Sequence, residues 1–277
     1  MLLKLTYRNH LGETLEMGDG KGVFVNSHDL RDYKWNYITI GDHIRSFNRR
    51  GVTNKTLPII IVAPTEPEAL RLKNLLFTIA ETDILSNVRG EILLDGYSYQ
   101  CNIFGSKFSD WHHDKKLLTV SLSTVSDANV WTKELSSVVF SSKESASEIN
   151  SKKYNYGYSY GYRNPNFSQK FYNNSGIPLQ FKITIDGECE NPSISIGGHI
   201  YGVAVGVAKD EKLVINSIEQ TVYKIGADGS KINCFDERET NSYIFEPIKQ
   251  GESSVTWSGI SSFTLTPIIE RSTPEWL

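Results

Sequence analysis

The sequence predicts a mainly β protein in two domains, and three observations carry that prediction. Short runs rich in β-branched and aromatic residues recur along the chain, many of them bounded by Gly, Asn, Asp or Pro. Only one segment repeats its apolar residues at helical spacing. Between residues 136 and 153 the composition shifts to Ser, Lys and Glu with few large apolar side chains, as in a linker or crossing segment. The boundary falls near 140, giving an amino-terminal domain over 1–139 and a carboxyl-terminal domain over 140–277. A chain of 277 residues is also longer than one core usually organises.

In the first domain, strands are expected at 21–27, 34–40, 57–63, 91–94, 97–104 and 117–123. Asp95-Gly96 separates two of these runs and marks a tight hairpin, because both central positions need positive φ. The helix is expected near 65–82. Thr65 is placed as its N-cap, Glu68 completes a capping box, and Pro67 sits in the first turn, where its missing N–H costs nothing. Ala69, Leu72, Leu75, Leu76, Ile79 and Ala80 then form one apolar face, with Arg71, Lys73, Asn74 and Thr78 mostly opposite.

After the boundary, strands are expected at 179–186, 193–196, 200–207, 212–215, 220–225, 243–245, 253–257 and 263–267. Asp186-Gly187, Lys209-Asp210, Asp228-Gly229 and Gln250-Gly251 are among the turns between them. Strands spaced by about 8–12 residues indicate an antiparallel sandwich or barrel.

The charge balance gives no bulk attraction to nucleic acid or anionic membrane, since the net charge is −3. Arg45, Arg49 and Arg50 form the densest local basic patch. No apolar run approaches the ~20 residues needed to span a bilayer, and residues 1–12 carry no export-signal pattern. Cys101, Cys189 and Cys234 are odd in number and widely spaced, so free buried thiols are expected. A Cys189–Cys234 pair would require their strands to be neighbours.

No chemistry-bearing constellation stands out. Among the histidines His10, His28, His43, His112, His113 and His199 there is no metal-ligand spacing, and adjacent His112 and His113 would point to opposite faces of a strand. No metal and no cofactor is expected. GxSxG is missing, and no Cys has a nucleophile context. Glu188, Glu190, Asp236, Glu237 and Glu239 are candidates for a paired-carboxylate glycosidase, but all fall at apparent turns, where solvated loop carboxylates are ordinary. The glycines around Gly197-Gly198 and Gly202 to Gly206 lack the phosphate-loop pattern and read as hairpin turns and close strand packing. The chain is therefore expected not to be an enzyme.

One segment is unusual. Tyr154, Tyr156, Tyr158, Tyr160 and Tyr162 alternate with small or polar residues, so an extended chain would present all five on one side. Such a row can stack on sugar rings or cover a protein surface. Packing or assembly is favoured over ligand binding.

Taken in order, several short phrases resemble the distal tail proteins of siphophages and prophages of Gram-positive bacteria. They begin with Pro64-Thr65-Glu66-Pro67 and its helix, Gly90-Glu91-Ile92-Leu93-Leu94-Asp95-Gly96, and Ser106-Lys107-Phe108-Ser109-Asp110-Trp111. The tyrosine-rich segment, Asn173-Asn174-Ser175-Gly176, Asp186-Gly187 and Asn191-Pro192-Ser193-Ile194 follow. Gly251-Glu252-Ser253-Ser254-Val255-Thr256-Trp257 and Arg271-Ser272-Thr273-Pro274-Glu275-Trp276 close the series. The resemblance implies a β-sandwich-like, ring-forming first domain with one helix and a hairpin. It implies a second domain like the antiparallel sandwiches of galectins and carbohydrate-binding modules.

By the same resemblance the protein is a virion component of the distal tail, assembled in the host cytoplasm. It would form a homohexameric ring through which DNA passes without specific binding. Its partners would be the tail tube protein, the tail-tip or tail-associated protein and receptor-binding proteins, and it would not engage a membrane. The alternative reading is a carbohydrate-binding protein whose second domain recognises host cell-wall sugar.

Overall fold

The computed structural model describes residues 5–18, 22–25, 27–49, 51–108, 116–141 and 168–276. The chain divides into two compact units, Met1–Lys133 with Glu270–Leu277, and Glu134–Ile269. The second unit is inserted into the first, so the chain crosses between them twice.

The first unit is built from β1 (Leu5–Arg8), β2 (Thr14–Met17), β3 (Val23–Val25), β4 (Asn36–Ile40), β5 (His43–Asn48), β6 (Thr53–Val62), α1 (Glu66–Ser86), β7 (Gly90–Leu94), β8 (Tyr97–Phe108), β9 (Leu117–Ser126) and the first residues of β10 (Trp131–Glu134). One antiparallel sheet runs β2-β1-β7-β8-β10, and another runs β3-β6-β9-β8. Strand β8 belongs to both. Residues up to Cys101 pair with β7, and those from Asn102 on pair with β9 across a bulge between Ile103 and Gly105. The extra residue lets the strand bend from one sheet into the other. Alternate residues of β1, β7 and β8 point inward, and Tyr7, Ile92, Leu94, Tyr99 and Cys101 are fully or almost fully buried.

Helix α1 buries Ala69, Leu72, Leu76, Ile79 and Ala80 and makes its closest packing with β8, β6 and β2. Leu75 is only half-buried. The expected capping box does not form: Thr65 is the extended N-cap residue, but its side chain makes no cap hydrogen bond. At the other end Asn87 takes the left-handed conformation at φ 50°. Its N–H donates to Ile84 O, and the Val88 N–H donates to Asp83 O at 3.0 Å, which closes the last turn. Asp95 and Gly96 both have positive φ, 53° and 81°, as the hairpin between β7 and β8 requires.

The second unit contains β11 (Val138–Ser141), β12 (Ser168–Asn173), β13 (Gln180–Asp186), β14 (Cys189–Glu190), β15 (Ser193–Ile196), β16 (His199–Gly202), β17 (Gly206–Val207), β18 (Lys212–Asn216), β19 (Thr221–Ile225), β20 (Lys231–Asn233), β21 (Gly251–Ser258) and most of β22 (Ser262–Arg271). Two main antiparallel sheets form it, β22-β13-β18-β19-β20 with β11 on β22, and β12-β21-β15-β16, with β14 and β17 as a separate short pair. Aromatic pairs join strands of the two sheets. Trp257 meets Phe140 at 6.1 Å and Phe263 at 5.6 Å, both edge-on, and Phe181 meets Tyr201 at 4.9 Å. Each such buried ring contributes roughly 2–3 kcal/mol of burial free energy.

The expected turns are present. Gly197 and Gly198 carry φ of 59° and 84° between β15 and β16. Buried Asn173 donates its amide to Ile177 O, Ile248 O and Lys249 O, while its Oδ1 accepts from Ser175, which fixes the turn that follows β12. Residues 243–245, expected as a strand, form a turn instead. The carbonyl of Tyr243 meets the His199 ring and that of Glu246 accepts from Tyr201 Oη, so side chains take the place of ladder partners. The expected run 200–207 breaks into β16 and β17. Cys101, Cys189 and Cys234 are all free and buried, so the alternative Cys189–Cys234 bridge is not formed.

Gly90 tests the packing of the first unit. A Cβ there would collide with the buried carboxylate of Asp83 and the phenol of Tyr7. Gly90→Ala is expected to cost about 2–3 kcal/mol and to lower the melting temperature of the first unit, read by differential scanning calorimetry.

Candidate functional site

The hairpin of β4 and β5 is the most exposed element of the first unit. Among the described residues the two strands pair only with each other, and every residue of both except Asn48 is exposed. Tyr37 stands opposite Phe47, Ile38 opposite Ser46, Thr39 opposite Ile44 and Ile40 opposite His43, with an irregularity between Ile38 and Thr39. Period-two alternation then sets Tyr37, Phe47 and Ile44 on one face and Ile38 and Ile40 on the other. Their exposures are 62, 58, 55, 50 and 61%. A two-stranded hairpin is marginally stable alone. One that is apolar on both faces calls for a partner surface.

The base of the hairpin is held firmly. Lys55 on β6 is buried, and its Nζ donates to the carbonyls of Asp29 at 3.0 Å, Leu30 at 3.2 Å and Asp32. These carbonyls belong to the loop that leads into β4. Burial pulls the Lys55 pKa below its ordinary value, against the opposing pull of Asp29 and Asp32. Trp131 Nε1 donates to Leu30 O at 3.3 Å from the other side.

Arg31 donates to Pro274 O at 2.9 Å and to Asp95 Oδ2 at 2.8 Å, and its guanidinium lies 4.1 Å from the Trp276 ring centre. It thereby ties the same loop to the β7–β8 turn and to the carboxyl-terminal residues. At the return end Arg49 lies over Trp35 at 4.9 Å and meets Glu270 at 3.6 Å.

A second apolar surface lies at the carboxyl end of α1, where Ile84, Leu85 and Val88 are 44, 84 and 43% exposed. Beneath it Asp83 is wholly buried. It accepts from Tyr7 Oη at 2.6 Å and from the His10 backbone N–H at 2.9 Å, with His10 Nδ1 at 2.7 Å. A shallow concavity of about 280 Å³ opens beside it, lined by Arg8, Asn9, His10, Arg89, Glu91 and Gln100 among others. Its arginines are matched, Arg8 to Glu91 at 2.5 Å and Arg89 to Asp127 at 2.5 Å. An Asp–His pair needs a nucleophile to become a hydrolytic site, and none lines this concavity. Its chemistry is that of a staple between α1 and the β1–β2 turn.

The residues singled out in the sequence are scattered. Tyr154, Tyr156, Tyr158, Tyr160 and Tyr162 lie outside the described residues, as do His112, His113 and Arg50. Glu188, Glu190, Asp236, Glu237 and Glu239 are exposed. Among the described residues no group of three or more His, Cys, Asp and Glu could hold a metal ion, and no helix is long and apolar enough to cross a membrane. Sequence reading missed β5, although Gly41-Asp42 between two β-rich runs was the available signal. It also missed Lys55 and Arg31, whose roles depend on contacts distant in sequence.

Two antiparallel sandwiches, one of them bearing a helix and an exposed apolar hairpin, define a β-rich protein. No protein-family model and no curated protein matches the chain. Solved structures share its fold. The SPP1 Dit protein (gp 19.1), described as a paradigm of the hub adsorption apparatus in phages infecting Gram-positive bacteria, matches at TM-score 0.58 and 12% identity, over 97% of this chain and 100% of its own. Chains of the phage P2 baseplate in its activated conformation match at 0.60 with Ca and 0.61 with Sr, each at 10% identity, over 99% of this chain and 100% of theirs. The fold of these baseplate proteins thus extends over nearly the whole chain, in agreement with the resemblance read from the sequence.

Two outcomes are expected at the hairpin base. Lys55→Met removes the ammonium shared by three carbonyls, leaving Trp131 Nε1 on Leu30 O and the Asp32 N–H on Asp29 O, and urea unfolding of the first unit should show a loss of about 2 kcal/mol. His28 is half-buried with Nδ1 unpartnered, and burial, then the Arg31 charge, pulls its pKa down. The unfolded chain therefore takes up a proton near pH ~6.5 that the folded state resists. Stability is full above that pH, falls as pH drops through it, and levels off below the depressed folded pKa. Melting scans over that range should show the slope in the wild type and a flatter one in His28→Gln.

Proposed function

We propose that this chain is a structural component of a phage tail tip, a distal-tail hub. Six copies form a ring that joins the tail tube to the tip and carries receptor-binding components. The observation that supports this most is coverage: both units, in order, share the fold of the SPP1 hub protein and of the phage P2 baseplate chains. The exposed apolar hairpin supports it further, since a ring subunit must leave such a surface open until it assembles.

In this reading the protein belongs to the virion and is assembled in the host cytoplasm. DNA passes through the lumen of the ring, and a chain of net charge −3 offers phosphate no bulk attraction. The carbohydrate-binding alternative placed cell-wall sugar on the second domain's sandwich and the tyrosine row, and no described surface favours it.

Native mass spectrometry and negative-stain imaging of the purified chain test the proposal. Six-membered rings, populated increasingly with concentration, are the expected result. A strictly monomeric protein up to its solubility limit would count decisively against it.

A further inference from the structure

We infer that the carboxyl-terminal residues 272–276 occupy a peptide-binding seat in cis, and that a Pro-acidic-aromatic segment of another protein takes their place there. The inference does not depend on the hub reading, because it concerns what a single copy of the chain recognises.

The seat is built around Arg31. One of its guanidinium nitrogens donates to Pro274 O at 2.9 Å and to Glu275 O at 3.4 Å, and the other donates to Asp95 Oδ2 at 2.8 Å. Its flat face lies 4.1 Å from the centre of the Trp276 ring. The side chains of Arg31 and Asp95 are only 11 and 16% exposed, so the carboxylate holds the guanidinium in a fixed orientation. A fork aimed at two successive carbonyls reads extended backbone, which any peptide can supply. The guanidinium face then selects an aromatic side chain at the next position.

Charge defines the middle position. Arg271 meets Glu275 at 2.8 Å. Burial, then the Glu275 charge, raises the Tyr97 pKa, so that carboxylate lies close to the phenol. Lys133 Nζ is 5.0 Å from the centre of the Tyr97 ring. Without Glu275 the seat would hold three cations, Arg31, Arg271 and Lys133, and one carboxylate, Asp95. An incoming acidic residue is matched to that imbalance.

The present occupant is lightly held. Strand β22 ends at Arg271, and among the described residues no backbone–backbone hydrogen bond reaches 272–276. Pro274 is buried, but Glu275 is exposed and Trp276 is 80% exposed. A tethered segment needs few contacts to stay in place, since its effective concentration is of millimolar order. A foreign segment that covers more of its aromatic ring displaces it.

Fluorescence anisotropy with a labelled peptide, Ser-Thr-Pro-Glu-Trp-Leu, tests this on full-length chains. Glu275→Ala with Trp276→Ala opens the seat, and both side chains are exposed, so the circular dichroism spectrum should not change. The opened variant should bind the peptide with a Kd about tenfold or more below that of the wild type, whose own segment competes. Adding Arg31→Lys keeps a charge beside Asp95 but loses the fork, and should weaken binding at least about tenfold. A peptide with Lys in place of Glu should bind as weakly.

No binding by the opened variant up to millimolar peptide would overturn the inference. So would equal binding by wild type and opened variant, or binding that survives Arg31→Lys. Association between wild-type copies that Arg31→Lys abolishes would assign the seat to a second copy's own carboxyl-terminal segment, and would overturn its assignment to another protein.

Discussion

The ammonium of Lys55 sits under the loop that begins the hairpin and holds three of its carbonyls at once. A backbone segment without regular structure can be buried only if its polar groups find partners. Here one side chain on β6 meets that need, with Trp131 Nε1 sharing the Leu30 carbonyl. What β4 and β5 display depends on that anchorage, because among the described residues the two strands form a ladder of their own. Arg31 and Arg49 then secure the loop and the return strand against the carboxyl-terminal residues. Cations in dry or half-dry positions thus fix a surface whose exposed side chains are mainly apolar.

The two units divide the work of stability differently. In the second, aromatic pairs between the sheets supply a continuous interior, and its described polar anchors, such as Asn173, serve turns. In the first, the sheets share β8 and close over α1, but buried polar groups recur: Asp83 with Tyr7 and His10, and Lys55 with its carbonyls. Such groups cost free energy unless every partner is present, and so they tolerate few alternative arrangements.

Local features were legible in the sequence where one or two residues decide the backbone. Asp95-Gly96 and Gly197-Gly198 gave their hairpins, and the helical spacing of Ala69 to Ala80 gave α1 within a few residues. The helix ran on to Ser86 because Asn87, a weaker left-handed residue than Gly, ends it. The capping box that the pattern of Thr65 and Glu68 allows is not formed.

Features that depend on distant partners could not be read. Nothing near Lys55 in the sequence announces the carbonyls of residues 29–32, and nothing near Asp83 announces Tyr7. Residues 243–245 have the composition of a strand, but their neighbours in space are side chains. The resemblance reached the fold through the order of phrases, and several of those phrases prove to be structural fasteners, Asn173 with Ser175 and the closing residues clasped by Arg31.

Because the second unit is inserted between Lys133 and Glu270, it hangs from the first by two covalent strands. A single proteolytic nick in either crossing leaves it attached. A pull on it from outside is divided between two peptide connections, one ending in β10 and the other in the segment under Arg31. The same topology makes the second unit an exchangeable cassette: its sequence can be replaced wholesale while both flanking ends keep their seats in the first unit. Mechanical tethering and evolutionary interchange thus come from one arrangement of the chain.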